Sequence, residues 1–196
     1  MNDYDVRNRD PQKLAVYSAD LCGNVEGETL SKEGTEAVLE ALWTKHVQLP
    51  LRPPTLQFRK DIVDNHTYYA WKHEITFDAS PESVPTAALI HEIAHAKLGA
   101  MGIGPFVESH GPIFLRVFAN MWETYSARSS KDFVSRCSTS NLRVADEIPN
   151  LDGETWATVQ EGGLQYAVRP AQRAVEIGWN VVNTFSTHVQ DNHPMA

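Results

Sequence analysis

The sequence predicts an α+β fold: a small twisted sheet packed on a helix that carries the pattern H-E-x-x-H, a second helix, and a β-containing C-terminal extension. Three observations point to it. Residues 55–78 are β-like, with aromatic and β-branched positions alternating with others over 69–77, two later stretches place apolar residues at helical spacing, and the chain beyond about residue 131 turns to short β-like runs. The 196 residues are 42% hydrophobic and 21% charged, ordinary globular usage and enough to bury a core.

Taken in order, "KLAVYS" at 13–18 reads as a short strand. Val38, Leu39, Leu42, Trp43 and His46 form one stripe of a surface helix over 35–47. "LPLRPPT" at 49–55, with three prolines, is a stiff connector. Tyr69, Trp71, His73, Ile75 and Phe77 then alternate with Ala70, Lys72, Glu74 and Thr76. That pattern fits one half-buried strand or two short ones turning near Lys72–Glu74. "DASPESVPTAALIHEIAHAKLG" opens with turn residues and continues as a helix of about four turns, with Gly99 as its stop. The glycine-rich "AMGIGPFVES" follows; its lone G-x-G, Gly102 and Gly104, comes after a helix and is weak evidence for phosphate binding. A second helix is expected over about 110–128, with Pro112 in its first turn and Phe114, Val117, Phe118, Met121 and Tyr125 as its core stripe. Farther on, "TWATVQ-EGG-LQYAVRP" reads as a hairpin, and 174–188 is apolar and β-branched without a clear period. The expected division is a domain over 1–130 and an extension over 131–196 packed on it.

Charge and cysteines narrow the function. A net charge of −8 argues against a protein that coats nucleic acid. There is no apolar run of membrane length, and "MNDYDVRNRDPQK" is too polar for a secretory signal, so the expected setting is the cytoplasm. Cys22 and Cys137 are far apart, read as reduced thiols, and are too few for a cysteine-based metal site. A metal here must be held by histidine and carboxylate.

His91 and His95 are four apart on a helix, which puts their Cβ atoms ~6 Å apart on one face. Two imidazoles so placed suit Zn²⁺, which takes three protein ligands and a water when catalytic. Glu92 lies off the metal axis, within reach of that water as a general base. A chance H-E-x-x-H in such a chain is on the order of one in a few hundred. The third ligand is open to argument. The metzincin spacing would put a histidine at 101 and a glycine at 98, where Met101 and Leu98 stand. Glu108 and Glu123 are alternatives, but His110 in "ESHGPIF", at the mouth of the next helix, is the better candidate.

"HEIAHAKLGAMGIGPFVESHGPIF" resembles the zinc core of the SprT-like metalloproteases, which include the Spartan proteases. The match runs through His91, Glu92, His95, Ala96, His110, Gly111 and Phe114. "EITFD" ahead of the helix is similar to that family's minimal gluzincin-like unit, and the resemblance covers about 65–128. "RDPQKLAVYSAD" is similar to metallohydrolases of actinobacteria and their phages. The resemblance implies zinc-dependent hydrolysis of a protein or peptide, with His91, His95 and His110 as ligands and Glu92 as base. The chain lacks the cysteine zinc ribbon that such proteins often carry and is acidic, so the resemblance supports the chemistry more than any action on DNA-bound proteins.

Tyr68, Tyr69, His73 and Tyr125 are candidates to assist the developing oxyanion. Trp43 and Trp122 read as core, His188 and His193 as a solvated tail, and Asp146, Glu147, Asp152 and Glu154 as solvated surface. Substrate is expected to lie extended along a strand near 69–77. The rivals are an interaction module with a structural metal site and a non-peptidase hydrolase on the same scaffold.

Overall fold

The computed structural model describes residues 10, 12–19, 21–22, 28–47, 51–59, 66–70, 72–78, 82–101, 109–148, 155–161, 164–168 and 181–186. The fold is α+β, and the chain divides into two compact units, residues 1–100 with 104–148, and residues 101–103 with 149–196.

In the first unit, helix α1 is Lys13–Ser18, where a strand was expected. Local pattern misled because only Val16 of this segment is buried, while Leu14 and Tyr17 stay largely exposed. The segment is instead tied down at its start by Asp10 and Gln12, contacts that no local rule encodes. Strand β1 (Thr29–Leu30) leads into helix α2 (Lys32–His46). Ser31 caps α2 by accepting from the Gly34 N–H, and Leu39, Leu42 and Trp43 form its buried stripe.

The alternating region is two strands, not one. β3 (Thr67–Tyr69) leads into β4 (Glu74–Phe77), with the Lys72 N–H bonded to the Tyr69 carbonyl, the His73 N–H to the Ala70 carbonyl, and His73 at φ 50°. β2 (Thr55–Phe58) runs parallel to β4 on its other side, giving the order β2-β4-β3. Ile75, Thr76 and Phe77 of the central strand are buried. β5 (Val84–Pro85) pairs antiparallel with β1 and opens helix α3 (Thr86–Ala100).

α3 is apolar around most of its circumference and is buried accordingly, in contact with α2, α4, β3 and β5. Gly99 does not stop it. An added Cβ there would lie 3.1 Å from the Tyr68 ring, so the glycine's role is to let β3 approach the helix. Helix α4 (Pro112–Ser126) has proline in its first turn, as expected, and buries Phe114, Val117, Phe118, Met121 and Trp122; Tyr125 is half-buried at the stripe's end. It ends on Ala127 in the left-handed region.

A shorter helix follows that the sequence pattern did not reveal. α5 (Ser130–Thr139) is capped by Ser129 and sets Phe133 against Phe118 and Trp122. It therefore belongs to the first unit, which continues to Ile148. In the second unit, β6 (Thr155–Glu161) and β7 (Leu164–Val168) form the expected hairpin, and β8 (Val181–Ser186) pairs antiparallel with the other side of β6. Among the described residues no helix is long and apolar enough to cross a membrane. Cys22 and Cys137 are both buried.

Candidate metal centre

α3 places His91 and His95 one turn apart on the same face, and the start of α4 returns His110 to them. The three Nε2 atoms form a triangle with sides of 3.1, 3.2 and 3.3 Å. Such a triangle has a point about 2.0–2.1 Å from every nitrogen, the Zn–N distance, with angles of roughly 100° between them. Together the three histidines can hold a metal ion. Lone pairs converging at this spacing repel unless a cation lies between them, so the donor set fits a metal such as zinc.

Phe114 forms the floor. Its ring stacks on His95 at 4.3 Å and meets His91 and His110 at 4.9 and 5.1 Å. That is the physical content of the H-G-x-x-F spacing: Gly111 caps α4, and one turn on, Phe114 faces back to the histidine before the cap. Burial, together with the neighbouring imidazoles, holds His91 well below its usual pKa, and burial pushes His95 down to about 3. His110 is also lowered by burial, against the opposing pull of Asp10. Neutral imidazoles are the form that binds a metal.

Asp10 was not singled out from sequence. Its Oδ2 lies 2.5 Å from His110 Nδ1, and its Oδ1 accepts the His110 N–H at 3.1 Å. A carboxylate on Nδ1 fixes the proton there and leaves Nε2 free to coordinate. Gln12 continues the clamp, donating to the His110 carbonyl and accepting the Arg143 N–H at 2.6 Å. Both residues lie some 100 positions from His110, beyond the reach of periodicity.

Glu92 is 4% exposed. Its Oε2 accepts the Tyr68 N–H at 2.8 Å, and its Oε1 lies 4.0 Å from His91 Nε2. Burial raises its pKa to about 8, only partly opposed by the Tyr68 hydrogen bond. The carboxyl stands beside the triangle rather than in it.

The other predicted residues scatter. Glu123 accepts the Ser130 N–H away from the centre, and Glu108, Gly102, Gly104, His188 and His193 lie outside the described residues. Tyr68 directs its hydroxyl to His73 Nδ1 at 3.0 Å, while His73 Nε2 bonds the Arg52 carbonyl. Tyr125 donates to Glu28. An unforeseen tyrosine covers the centre instead: the Tyr17 ring lies 5.5 Å from His91 and 5.0 Å from His110. Its pKa is raised to about 12 by burial and the carboxylates of Glu92 and Asp10, so the phenol keeps its proton. Beside His91 and Glu92 opens a cleft of about 390 Å³, lined also by Tyr17 and by His66, whose buried Nδ1 has no partner among the described residues.

Comparisons with protein-family models, curated proteins and solved structures returned no match.

Proposed function

We propose that the protein is a zinc-dependent peptidase of the SprT-like kind, with His91, His95 and His110 holding the ion and Glu92 acting as general base. The observation that carries this reading is the placement of Glu92: one oxygen pinned by the Tyr68 N–H, the other turned toward the histidine triangle. A structural zinc site closes its fourth position with protein, whereas this cluster, among the described residues, offers three ligating groups. Zn²⁺ bound there supplies Lewis acidity, bringing the pKa of water toward ~7 and polarising a carbonyl.

With an ion held by the histidines, its charge would keep Glu92 ionised against the burial that raises its pKa. Glu92 then takes a proton from the attacking water at Oε1 as the new C–O bond forms, and returns it to the leaving nitrogen as the C–N bond breaks. Tyr68 holds the carboxylate in place throughout. The Tyr17 phenol, protonated and with its ring beside His91 and His110, is a candidate donor to the oxyanion. β4 is the middle strand of its sheet, so the substrate surface expected along 69–77 contracts to β3. Among the described residues β3 is an edge strand, and its Tyr68 N–H points away from β4 toward Glu92. A peptide laid on that edge by strand addition brings its backbone to the carboxylate.

The test is Glu92→Gln. Zinc measured by atomic absorption stays at the wild-type level, because Glu92 is not a ligand, while hydrolysis of an unfolded protein such as casein falls at least ~100-fold. Equal cleavage by both forms would end the mechanism; a zinc-loaded wild type that cleaves nothing favours the interaction module.

A further inference from the structure

The cleft beside the metal centre is built by a sequence feature that the catalytic reading does not use. α3 begins Thr86-Ala87-Ala88, and these two alanines stand four residues before His91 and Glu92 respectively. Helical side chains lean toward the N-terminus over the residue one turn earlier, so His91 and Glu92 project over Ala87 and Ala88. Their neighbours Thr86, Leu89 and Ile90 are fully buried, whereas Ala87 and Ala88 are half-exposed and line the cleft. The space exists because the side chains there are methyl groups.

Most of its other walls are apolar, with Tyr17 and His66 the polar groups beside His91 and Glu92. Val16, Leu21 and Cys22 close it from the α1 side and Phe118 from α4, each no more than 5% exposed. Lys13 stands exposed among the lining residues. The apolar surface also continues outward along α1, where Leu14 and Tyr17, three apart and so on one helical face, are 82% and 59% exposed. Exposed apolar side chains leading into an apolar cleft at a catalytic carboxylate mark a path for substrate.

We infer that this cleft is a specificity subsite that takes a bulky, uncharged apolar side chain next to the bond being cleaved. The inference rests on the peptidase reading of the same site and adds a substrate class to it: polypeptide segments with a large aliphatic or aromatic residue beside the scissile bond, as exposed in unfolded chains. An apolar side chain gains by leaving water for the walls made by Val16, Leu21, Cys22, Phe118 and the two alanines.

The experiment compares two hydroxamates on the zinc-loaded full chain by calorimetry. Acetohydroxamate presents the chelating group alone; 3-phenylpropionohydroxamate adds an apolar tail. The tailed ligand binds roughly 10- to 100-fold more tightly to the wild type, the gain expected for burying a phenyl-sized group. Ala88→Leu and Ala87→Leu each fill the cleft from a helix position that tolerates leucine, and bring that ratio toward one with zinc content unchanged. Equal affinities in the wild type overturn the inference, as does a preference that survives both substitutions. If neither hydroxamate binds a chain that holds zinc, the metal has no open position, and the peptidase reading falls together with the subsite. A cleft-dependent preference in a protein that cleaves no peptide leaves the subsite standing and removes the peptidase reading alone.

Discussion

Asp10 illustrates how much of a metal centre lies outside its ligands. It receives the His110 Nδ1–H and backbone N–H at once, so it sets both the tautomer and the orientation of the ring. Asp10→Asn keeps the shape but presents a neutral amide that can turn a donor toward Nδ1. Zinc affinity, measured by competition with a chelator, then falls about 10- to 100-fold; unchanged affinity would deny Asp10 this role. Buried ionisable groups also set the response of the metal-free protein to acid. His95 titrates near 3 and His91 well below its ordinary value in the folded chain, while both take protons near 6.5 once unfolded. As pH falls below about 6.5, the unfolded state gains two protons that the folded state refuses, and stability drops. Glu92 works in the opposite sense: with a folded pKa of about 8 it already holds a proton that the unfolded carboxyl lacks down to about 4.5. His46, His66 and His110, also lowered by burial, add to the histidines' side. Stability therefore falls by more than the ~1.4 kcal/mol per pH unit of a single proton between pH ~6 and ~4.5, measurable by urea unfolding after chelation. A flat profile there would contradict the neutral, buried histidines.

Helix α3 serves as scaffold and as site, and its last turn shows how the two are coupled. Gly99 normally costs a helix interior about 1 kcal/mol relative to alanine. Here a Cβ would meet the Tyr68 ring and hydroxyl at 3.1 Å. Tyr68 has little freedom to yield, because its hydroxyl is bonded to His73 and its N–H to Glu92. Gly99→Ala therefore lowers stability by about 1 kcal/mol, the crowding outweighing the propensity gain. Its melting temperature drops, and on the peptidase reading proposed above hydrolysis falls as well, because β3 no longer holds Glu92 in register. A rise in melting temperature would show that Tyr68 moves freely.

The position of the division between units makes a prediction about the whole molecule. Every described residue of the centre lies before Ile148, and so do the contacts that brace it. Phe133, Cys137 and Leu142 are buried, the Ala145 N–H bonds the Pro112 carbonyl at the start of α4, and Arg143 meets Gln12. A chain ended after Ile148 folds and keeps whatever metal the full chain takes up at the three histidines. A chain ended at residue 130, where composition changes, loses three buried side chains and uncovers Phe118 and Trp122. At ~1.5–3 kcal/mol for each large apolar side chain, that consumes most of a typical stability of about 5–15 kcal/mol. Circular dichroism and metal analysis of the two chains distinguish these outcomes; a folded, zinc-binding 1–130 would contradict the role given to α5.

Local chemistry sufficed wherever a side chain's partner lay within a turn or two of chain. His91 and His95 follow from helical spacing, Pro112 and the α4 stripe from the same period, and the β6–β7 hairpin from two β-like runs about a turn. His110 came within reach because its H-G-x-x-F setting is itself a helix start. Long-range contacts overrode or hid the rest. "KLAVYS" became a helix because Asp10 and Gln12 anchor it to His110. Gly99 stayed inside α3 because a strand distant in sequence needed the space. Tyr17 came to lie over the histidines because α1 packs there, and the cleft arose where its side chains stop short of two alanines. Periodicity reports which face of an element is apolar. Which other face meets it depends on how the whole chain closes, because burial is shared among elements that no short window contains.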